Sequence, residues 1–176
     1  MKTSTELELQ AALQVAGLMA AAARTAPKTR GIDNIQVLAI EDPPSKERLA
    51  GKMRELGRAE GRPSFERDAG SIAAAPVIVV IGVLSNTAGL NCGYCGHSSC
   101  ETLERDKGVC AFNSIDLGLA TSSAVAVAAD SRIDTRVMFS IGRACLALNL
   151  FGDKVRQALG IPLSITGKSP FFDRKA

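Results

Sequence analysis

The chain has 176 residues, of which 46% are apolar and 22% are charged; these values are typical of a globular domain and exclude wholesale disorder. The net charge is only +3 and aromatic residues make up 4%, so the sequence lacks the basic stripe and stacking platforms of a nucleic-acid-binding protein. Neither the Ala-rich stretch 9–23 nor the apolar stretch 73–84 reaches the ~20 residues that a bilayer span needs. We therefore expect no nucleic-acid partner and no membrane.

The hydrophobic pattern predicts helices more often than strands. Residues 5–25 are expected to form the first helix, because apolar side chains recur there every three or four positions and Pro27 follows. The remaining predicted elements are a strand at 35–40, a helix at 45–56, an exposed charged connection at 58–68, a strand at 77–84, helices at 113–129, 136–148 and 153–159, and a strand at 163–166.

The strand at 77–84 is almost entirely apolar and shows no alternation. That pattern indicates a central strand whose sheet is covered by helices on both faces. We therefore predict a single domain over residues 1–176 with an α+β fold in three layers: helix, sheet, helix.

Four cysteines stand close together directly after this strand. Cys92, Cys95, Cys100 and Cys110 have the spacing C-x2-C-x4-C-x9-C, so residues 91–110 form a cysteine-rich loop inserted after a central strand. No secretory signal is visible, and we expect a cytoplasmic location. In that reducing compartment, clustered thiols bind metal rather than form disulfides.

The ligand type and spacing favour a 4Fe–4S cluster. Gly93 and Gly96 give the loop the freedom to wrap around a small object and to bring backbone N–H groups to its sulfur atoms. Zinc is the alternative, although structural zinc sites usually use two C-x2-C pairs and this loop contains one. His97 is expected to be an exposed loop residue that tunes the cluster by hydrogen bonding, and the alternative is a proton donor or a further ligand. Cys145 lies far away among apolar residues and is expected to be a buried thiol of the core.

The sequence resembles two families. The stretches 22–34, 92–96, 136–142 and 160–174 are similar to the ferredoxin domain-containing proteins of bacteria and archaea. A weaker similarity, in an Ala-rich helix followed by Ala26-Pro27, a polar turn ending at Asn34, and the segments 75–80 and 159–162, is to nitroreductase-like flavoproteins. That second resemblance implies a nitroreductase-like sandwich and a homodimer with FMN at the interface.

The nitroreductase-like resemblance also implies a set of flavin or phosphate contacts. The side chains concerned are Arg24, Lys28, Arg30, Asn34, Lys168 and Arg174. Guanidinium and ammonium groups suit a phosphate, but Lys28 stands where the family usually has Ser. The alternative is that these cations are ordinary surface charges.

Three functions are compatible with these residues. The first is an oxidoreductase in which a 4Fe–4S cluster supplies electrons to a flavin that reduces a small molecule. The second is an electron carrier or scaffold module without flavin that docks on a redox partner protein. The third is a zinc-stabilised interaction domain. No acid–base pair in the sequence marks a catalytic residue, and the substrate stays unknown.

Overall fold

The computed structural model describes residues 1–172 and shows a four-stranded antiparallel sheet between two layers of helices. The sheet order is β1-β2-β4-β3. In chain order the elements are α1 (Ser4–Thr25), β1 (Ile35–Ile40), α2 (Pro43–Ala59), α3 (Pro63–Ser71), β2 (Ile78–Leu84), α4 (Cys100–Arg105), α5 (Ala111–Asp130), β3 (Asp134–Thr135), α6 (Phe139–Ala147) and β4 (Val155–Ser164). A 3₁₀ turn, Thr29–Gly31, precedes β1. The predicted three-layer α+β fold is confirmed.

The central strand β2 supplies side chains to two separate hydrophobic cores. Val79 and Ile81 pack with α1 and α5 on one face of the sheet. Ile78 and Val80 pack with α2, α3 and α6 on the other face. Because successive side chains of a strand point to opposite faces, an uninterrupted apolar run is what a strand covered on both sides requires. The prediction of burial on both faces is confirmed.

Helix α5 lies in the core layer that it shares with α1. Within the described residues it is the one helix that is long and apolar enough to cross a membrane by composition, with a mean hydropathy of 1.2. Its residues Ala120, Ala124 and Ala128 are fully buried in the core with α1 and the sheet. Small side chains at four-residue spacing let two helices pack closely, which accounts for the alanines of this core helix.

Two sequence predictions are wrong. The region 58–68 is not an exposed connection, because α3 begins at Pro63 and buries Phe65 and Ala69. The segment 153–159 is not a helix, because β4 runs from Val155 to Ser164 and pairs with β2 along most of its length. In both cases tertiary burial and strand pairing override the local pattern.

The helix predicted at 136–148 begins later than expected. Met138 exchanges backbone hydrogen bonds of 2.8 and 3.0 Å with Gly160, so the chain stays extended until α6 begins at Phe139. Helix α6 then lies directly on β4. A Cβ atom added at Gly142 would stand 1.7 Å from the carbonyl oxygen of Ala158, so only glycine permits this approach of helix and strand.

We expect Gly142→Ala to lower the free energy of unfolding by ~3 kcal/mol, because the added methyl group would overlap backbone atoms that cannot rotate away. The matched control is Gly51→Ala in α2, where an added Cβ has no neighbour within 4 Å. That control should stabilise the protein by ~0.5–1 kcal/mol through helix propensity. Urea denaturation of the three proteins measures both effects, and equal stability of the two variants would contradict the close packing.

Candidate metal centre

All four clustered cysteines line one pocket between the end of β2 and the start of α5. Cys92 is exposed, Cys95 and Cys100 are partly exposed, and Cys110 is buried. Ala88 and Leu103 form the apolar wall of the pocket and pack in the same small cluster as Cys110. The structure therefore brings together the thiols that the sequence predicts as ligands.

The loop that carries the first three cysteines depends on left-handed backbone conformations. The φ angles are 67° at Gly89, 47° at Asn91, 73° at Gly93 and 82° at Gly96. The N–H group of Gly96 donates to the carbonyl of Gly93 at 2.9 Å and closes a tight turn. An added Cβ would have no neighbour within 4 Å at Gly93 or Gly96, so glycine is needed there for its conformation.

Asn91 holds Cys100 through two reciprocal hydrogen bonds. The backbone N–H of Asn91 donates to the Sγ atom of Cys100 at 3.4 Å. The backbone N–H of Cys100 donates to the Oδ1 atom of Asn91 at 2.7 Å. Hydrogen bonds to a thiolate sulfur stabilise its negative charge and tune a bound metal. Sequence reasoning missed this role, although an Asn next to Cys92 is a residue type that adopts a positive φ readily.

Cys110 occupies the N-cap position of α5, which is a helix of 20 residues. Unpaired N–H groups and the helix dipole make this position favourable for negative charge. In the first turn of the same helix, the ring of Phe112 stacks on Tyr94 with the ring centroids 5.6 Å apart. Tyr94 is exposed, so the pair covers the loop from the solvent side.

His97 is partly exposed within the cysteine loop, and Cys145 is the buried core thiol that the sequence predicts. The Nδ1 atom of His97 lies 3.3 Å from the carbonyl oxygen of Cys95, and its Nε2 atom lies 3.6 Å from a carboxylate oxygen of Asp106. Cys145 is fully buried in the core that contains α6. Burial disfavours the thiolate and raises the pKa of Cys145 to about 12.

Among the described residues, 1–172, no group of three or more His, Cys, Asp or Glu side chains is arranged as a ready-made site for a metal ion. The four thiols nevertheless line the same pocket.

Three of the predicted flavin contacts already have partners within the protein. Arg24 forms an ion pair with Asp33 at 2.5 Å. The Nζ atom of Lys28 donates to the carbonyls of Ala23, Arg24 and Ala26, at distances of 3.0, 2.7 and 2.7 Å. An ammonium group has three N–H donors, so Lys28 uses all of them to close the C-terminal end of α1. Arg30 donates to the carbonyl of Ala88 at 2.9 Å.

Asn34 belongs to a network that joins the polar turn, the cysteine loop and α5. Its Oδ1 atom accepts a hydrogen bond of 3.1 Å from Asn86. The Nδ2 atom of Asn113 in turn donates to the carbonyls of Asn86 and Leu84, at 2.7 and 3.0 Å. Sequence reasoning missed Asn113, although a buried amide in the first turn of an apolar helix is a signal of such a role.

The buried carboxylate of Asp116 anchors the polar turn to α5. It accepts hydrogen bonds from the backbone N–H of Thr29, at 3.0 Å to Oδ1, and from its hydroxyl, at 2.9 Å. The turn that contains Lys28 and Arg30 is therefore fixed to the helix that begins at Cys110. The two segments that the sequence singles out for flavin and for metal lie next to each other.

The other two predicted flavin contacts, Lys168 and Arg174, follow β4 in the sequence. Lys168 follows Ser164, which lies near the Ile78 end of β2, because Pro162 pairs with Ile78. The polar turn precedes Ile35, which pairs with Val83 at the opposite end of β2. These two ends of β2 are separated by ~20 Å of strand, so β4 ends far from the polar turn. Arg174 lies outside the described residues.

The fold is that of flavoproteins related to nitroreductases. A nitroreductase with bound FMN from Desulfitobacterium hafniense superposes with a TM-score of 0.62 at 15% identity, covering 96% of this chain and 80% of that one. A BluB-like flavoprotein from Clostridium difficile gives a TM-score of 0.58 at 16% identity, covering 93% and 83%. A nitroreductase family protein from Clostridium novyi also gives 0.58, at 14% identity, covering 89% and 73%. At these identities the likeness shows the fold alone.

The chain belongs to the family described as "Uncharacterized protein containing a ferredoxin domain (DUF2148)", which matches residues 106–174. It is also 42% identical over 166 residues to a protein of Archaeoglobus fulgidus described as "Uncharacterized protein", and this alignment covers 89% of the chain and 88% of the relative. The resemblance to ferredoxin domain-containing proteins is confirmed.

We expect Asn113→Ala to lower the free energy of unfolding by ~1–3 kcal/mol, because it removes a buried amide that holds two carbonyls at the start of the cysteine loop. The control is Ser122→Ala on the exposed face of the same helix, which should change stability by less than ~0.5 kcal/mol. Thermal unfolding followed by circular dichroism measures the difference. A wild-type stability for Asn113→Ala would show that the network does not hold the loop.

Proposed function

We propose that this protein is a cytoplasmic iron–sulfur redox protein that holds a 4Fe–4S cluster through Cys92, Cys95, Cys100 and Cys110. The observation that carries the proposal is that these four thiols, spread over a loop and a helix start, line a single pocket. Membership of a ferredoxin-domain family supports an iron–sulfur role. When bound, the cluster would supply one-electron transfer.

The ligand type and spacing in the sequence support a cluster over zinc. Structural zinc sites usually use two C-x2-C pairs, and this loop contains one. Four thiolates from one glycine-containing loop are a natural ligand set for a 4Fe–4S cluster.

The protein's own groups would stabilise the negative charge of such a centre. The Asn91 N–H already points at the sulfur of Cys100, and the N-terminus of α5 lies at Cys110. Arg156 donates to the carbonyl of Lys107 at 2.5 Å and ties the loop to β4. The exposed side of the loop, at Cys92 and Tyr94, is where a redox partner protein would approach.

We expect Cys95→Ser to lose most of its iron and its brown colour, because one of four ligands is removed. Cys145→Ala is the matched control and should keep the iron of the native protein, since Cys145 is buried in a different core. Alanine is preferred to serine there because a buried hydroxyl would add its own cost. Iron and labile sulfide are measured after anaerobic purification. A native protein with neither, or with stoichiometric zinc, would overturn the proposal.

A second function, flavin-dependent reduction of a small molecule, is favoured by the fold. The structural match includes a nitroreductase with bound FMN, and the polar turn that resembles the flavin-binding turn of that family is fixed to the cysteine loop through Arg30 and Ala88. Arg30 and Arg24 retain N–H groups for a phosphate beyond the contacts they make. Lys28 is the weakest of the proposed contacts because its donors are already used.

A homodimer would complete this flavin site. Several large apolar side chains of α1 and α5 are exposed in the single chain: Leu7, Leu13, Leu18, Ile115 and Leu119. Burial of such side chains against a second copy is a common basis of association. A two-fold arrangement could also bring Lys168 of one protomer to the polar turn of its partner.

We expect protein purified anaerobically to release FMN on acid treatment, in a ratio to cluster near one. The flavin absorbance of the supernatant measures it, beside the iron content of the same sample. Iron without flavin would leave the protein as an electron carrier or scaffold module and would exclude the reductase. Flavin without iron would instead exclude the role of the cysteine loop in electron transfer.

A further inference from the structure

The segment that carries the first three clustered cysteines is closed at its base by a residue that is not a predicted ligand. Asn91 directly precedes Cys92, and its partner Cys100 is the third of the four cysteines. Residues 85–99 form no helix or strand. The two hydrogen bonds between Asn91 and Cys100, at 2.7 and 3.4 Å, join the two ends of the segment 91–100. This pair of contacts therefore closes the segment into a loop before any metal is bound.

The side chain and the backbone of Asn91 act on different atoms of Cys100. The Oδ1 atom of Asn91 accepts a hydrogen bond from the backbone N–H of Cys100, which is the first residue of α4. That N–H has no partner within the helix, so Asn91 satisfies it. The backbone N–H of Asn91 donates to the Sγ atom of Cys100. The side chain thus holds the backbone of this predicted ligand, and the N–H acts on its sulfur.

The backbone conformation of Asn91 restricts which residue can do both. Its φ angle is 47°, in the left-handed region that most residues with a side chain avoid and that Asn and Asp tolerate better than others. Glycine adopts this conformation freely but has no oxygen atom to accept the Cys100 N–H. Asn and Asp are therefore the residues that combine the conformation with the acceptor.

Cys100 differs from the other clustered cysteines in this respect. Within residues 1–172, its sulfur is the one of the four that accepts a hydrogen bond. An N–H group donated to a thiolate ligand stabilises the more negative, reduced state of an iron–sulfur centre and raises its reduction potential. A loop that is already closed also loses less conformational freedom when it binds its ligand. Both effects act through Asn91.

We propose that Asn91 is a positioning residue of the candidate metal centre. Its side chain holds Cys100 in place for the cluster, and its backbone N–H raises the reduction potential of the centre. The inference rests on the proposed function, because it concerns a bound cluster. It extends that function by assigning the retention of iron and part of the potential to a residue outside the four ligands.

The test compares the native holoprotein with Asn91→Gly, both purified anaerobically. The variant keeps the left-handed conformation and the backbone N–H but removes the Oδ1 atom that holds Cys100. It should release iron to a chelator about tenfold faster, since loss of a partner that orients a metal ligand costs 10–100-fold in metal affinity. Its midpoint potential should also be lower, because the N–H is no longer held towards the sulfur.

The matched control is Asn149→Gly, which makes the same change at another left-handed asparagine. Asn149 has a φ angle of 53°, and its side chain donates to Asp153 in the loop between α6 and β4. That loop contains no cysteine. The control should release iron at the native rate and keep the native potential.

Asn91→Asp separates position from charge. Aspartate tolerates the left-handed conformation and keeps an oxygen atom for the Cys100 N–H, so iron should be released at the native rate. Its added negative charge should lower the midpoint potential, because net charge around a cluster sets its potential. Recovery of iron retention without recovery of the potential is specific to a positioning side chain. Iron release as fast as in Asn91→Gly would contradict the role of the oxygen atom.

The failure of this inference can be told apart from the failure of the proposed function. Native-like iron release and potential in Asn91→Gly, in a protein that does bind a cluster, would reject the role of Asn91 alone. A native protein without iron and labile sulfide would overturn both. Hydrogen–deuterium exchange of the Cys100 amide, measured in the same samples, needs no cluster. It should be faster in Asn91→Gly than in the native protein or Asn149→Gly, and equal exchange would show that Asn91 does not close the loop.

Discussion

The amide of Asn113 fixes the junction on which the candidate metal centre depends. The chain leaves the most buried strand of the sheet at Leu84 and must re-enter the fold at the first turn of α5. Asn113, in the first turn of α5, donates to the carbonyls of Leu84 and Asn86. It therefore joins the two ends of the segment 85–110, which connects β2 to α5. This connecting segment contains three of the four clustered cysteines and ends at the fourth. The positions of its two ends therefore limit where the four thiols can lie close together.

The same junction connects the metal loop to the polar turn. Asn34 accepts a hydrogen bond from Asn86, Arg30 donates to Ala88, and Thr29 is held by Asp116 of α5. Each contact joins residues that are far apart in sequence, and together they leave the turn and the loop little freedom to move separately. This shared support would keep the proposed metal site and the proposed flavin site in a fixed relation to each other.

Sequence reasoning succeeded where a residue type has one dominant physical use. A continuous apolar run such as 77–84 has to be buried on both faces of the strand. Four closely spaced thiols either bind a common metal centre or form disulfides. The sequence predictions failed where the secondary structure of a segment depends on the strand it pairs with. The segment 153–159 has a pattern that a helix could adopt, but β2 supplies an open edge that β4 fills. Likewise the buried face of α5 carries Ala120 and Ala124, whereas the larger apolar side chains Ile115 and Leu119 are exposed.

What the sequence by itself determined is the set of chemical groups: the clustered cysteines, the glycines that permit left-handed turns, and the apolar central strand. These follow from the intrinsic properties of single residues and their near neighbours. Only the tertiary structure decided which cations are already occupied, as Lys28 is at the end of α1, and that Lys168 lies at the opposite end of the sheet from the polar turn. It also decided that β4 contacts the cysteine loop, through the hydrogen bond from Arg156 to the carbonyl of Lys107. These features arise from contacts between segments that are distant in the sequence. The local sequence does not indicate which residue each group will contact.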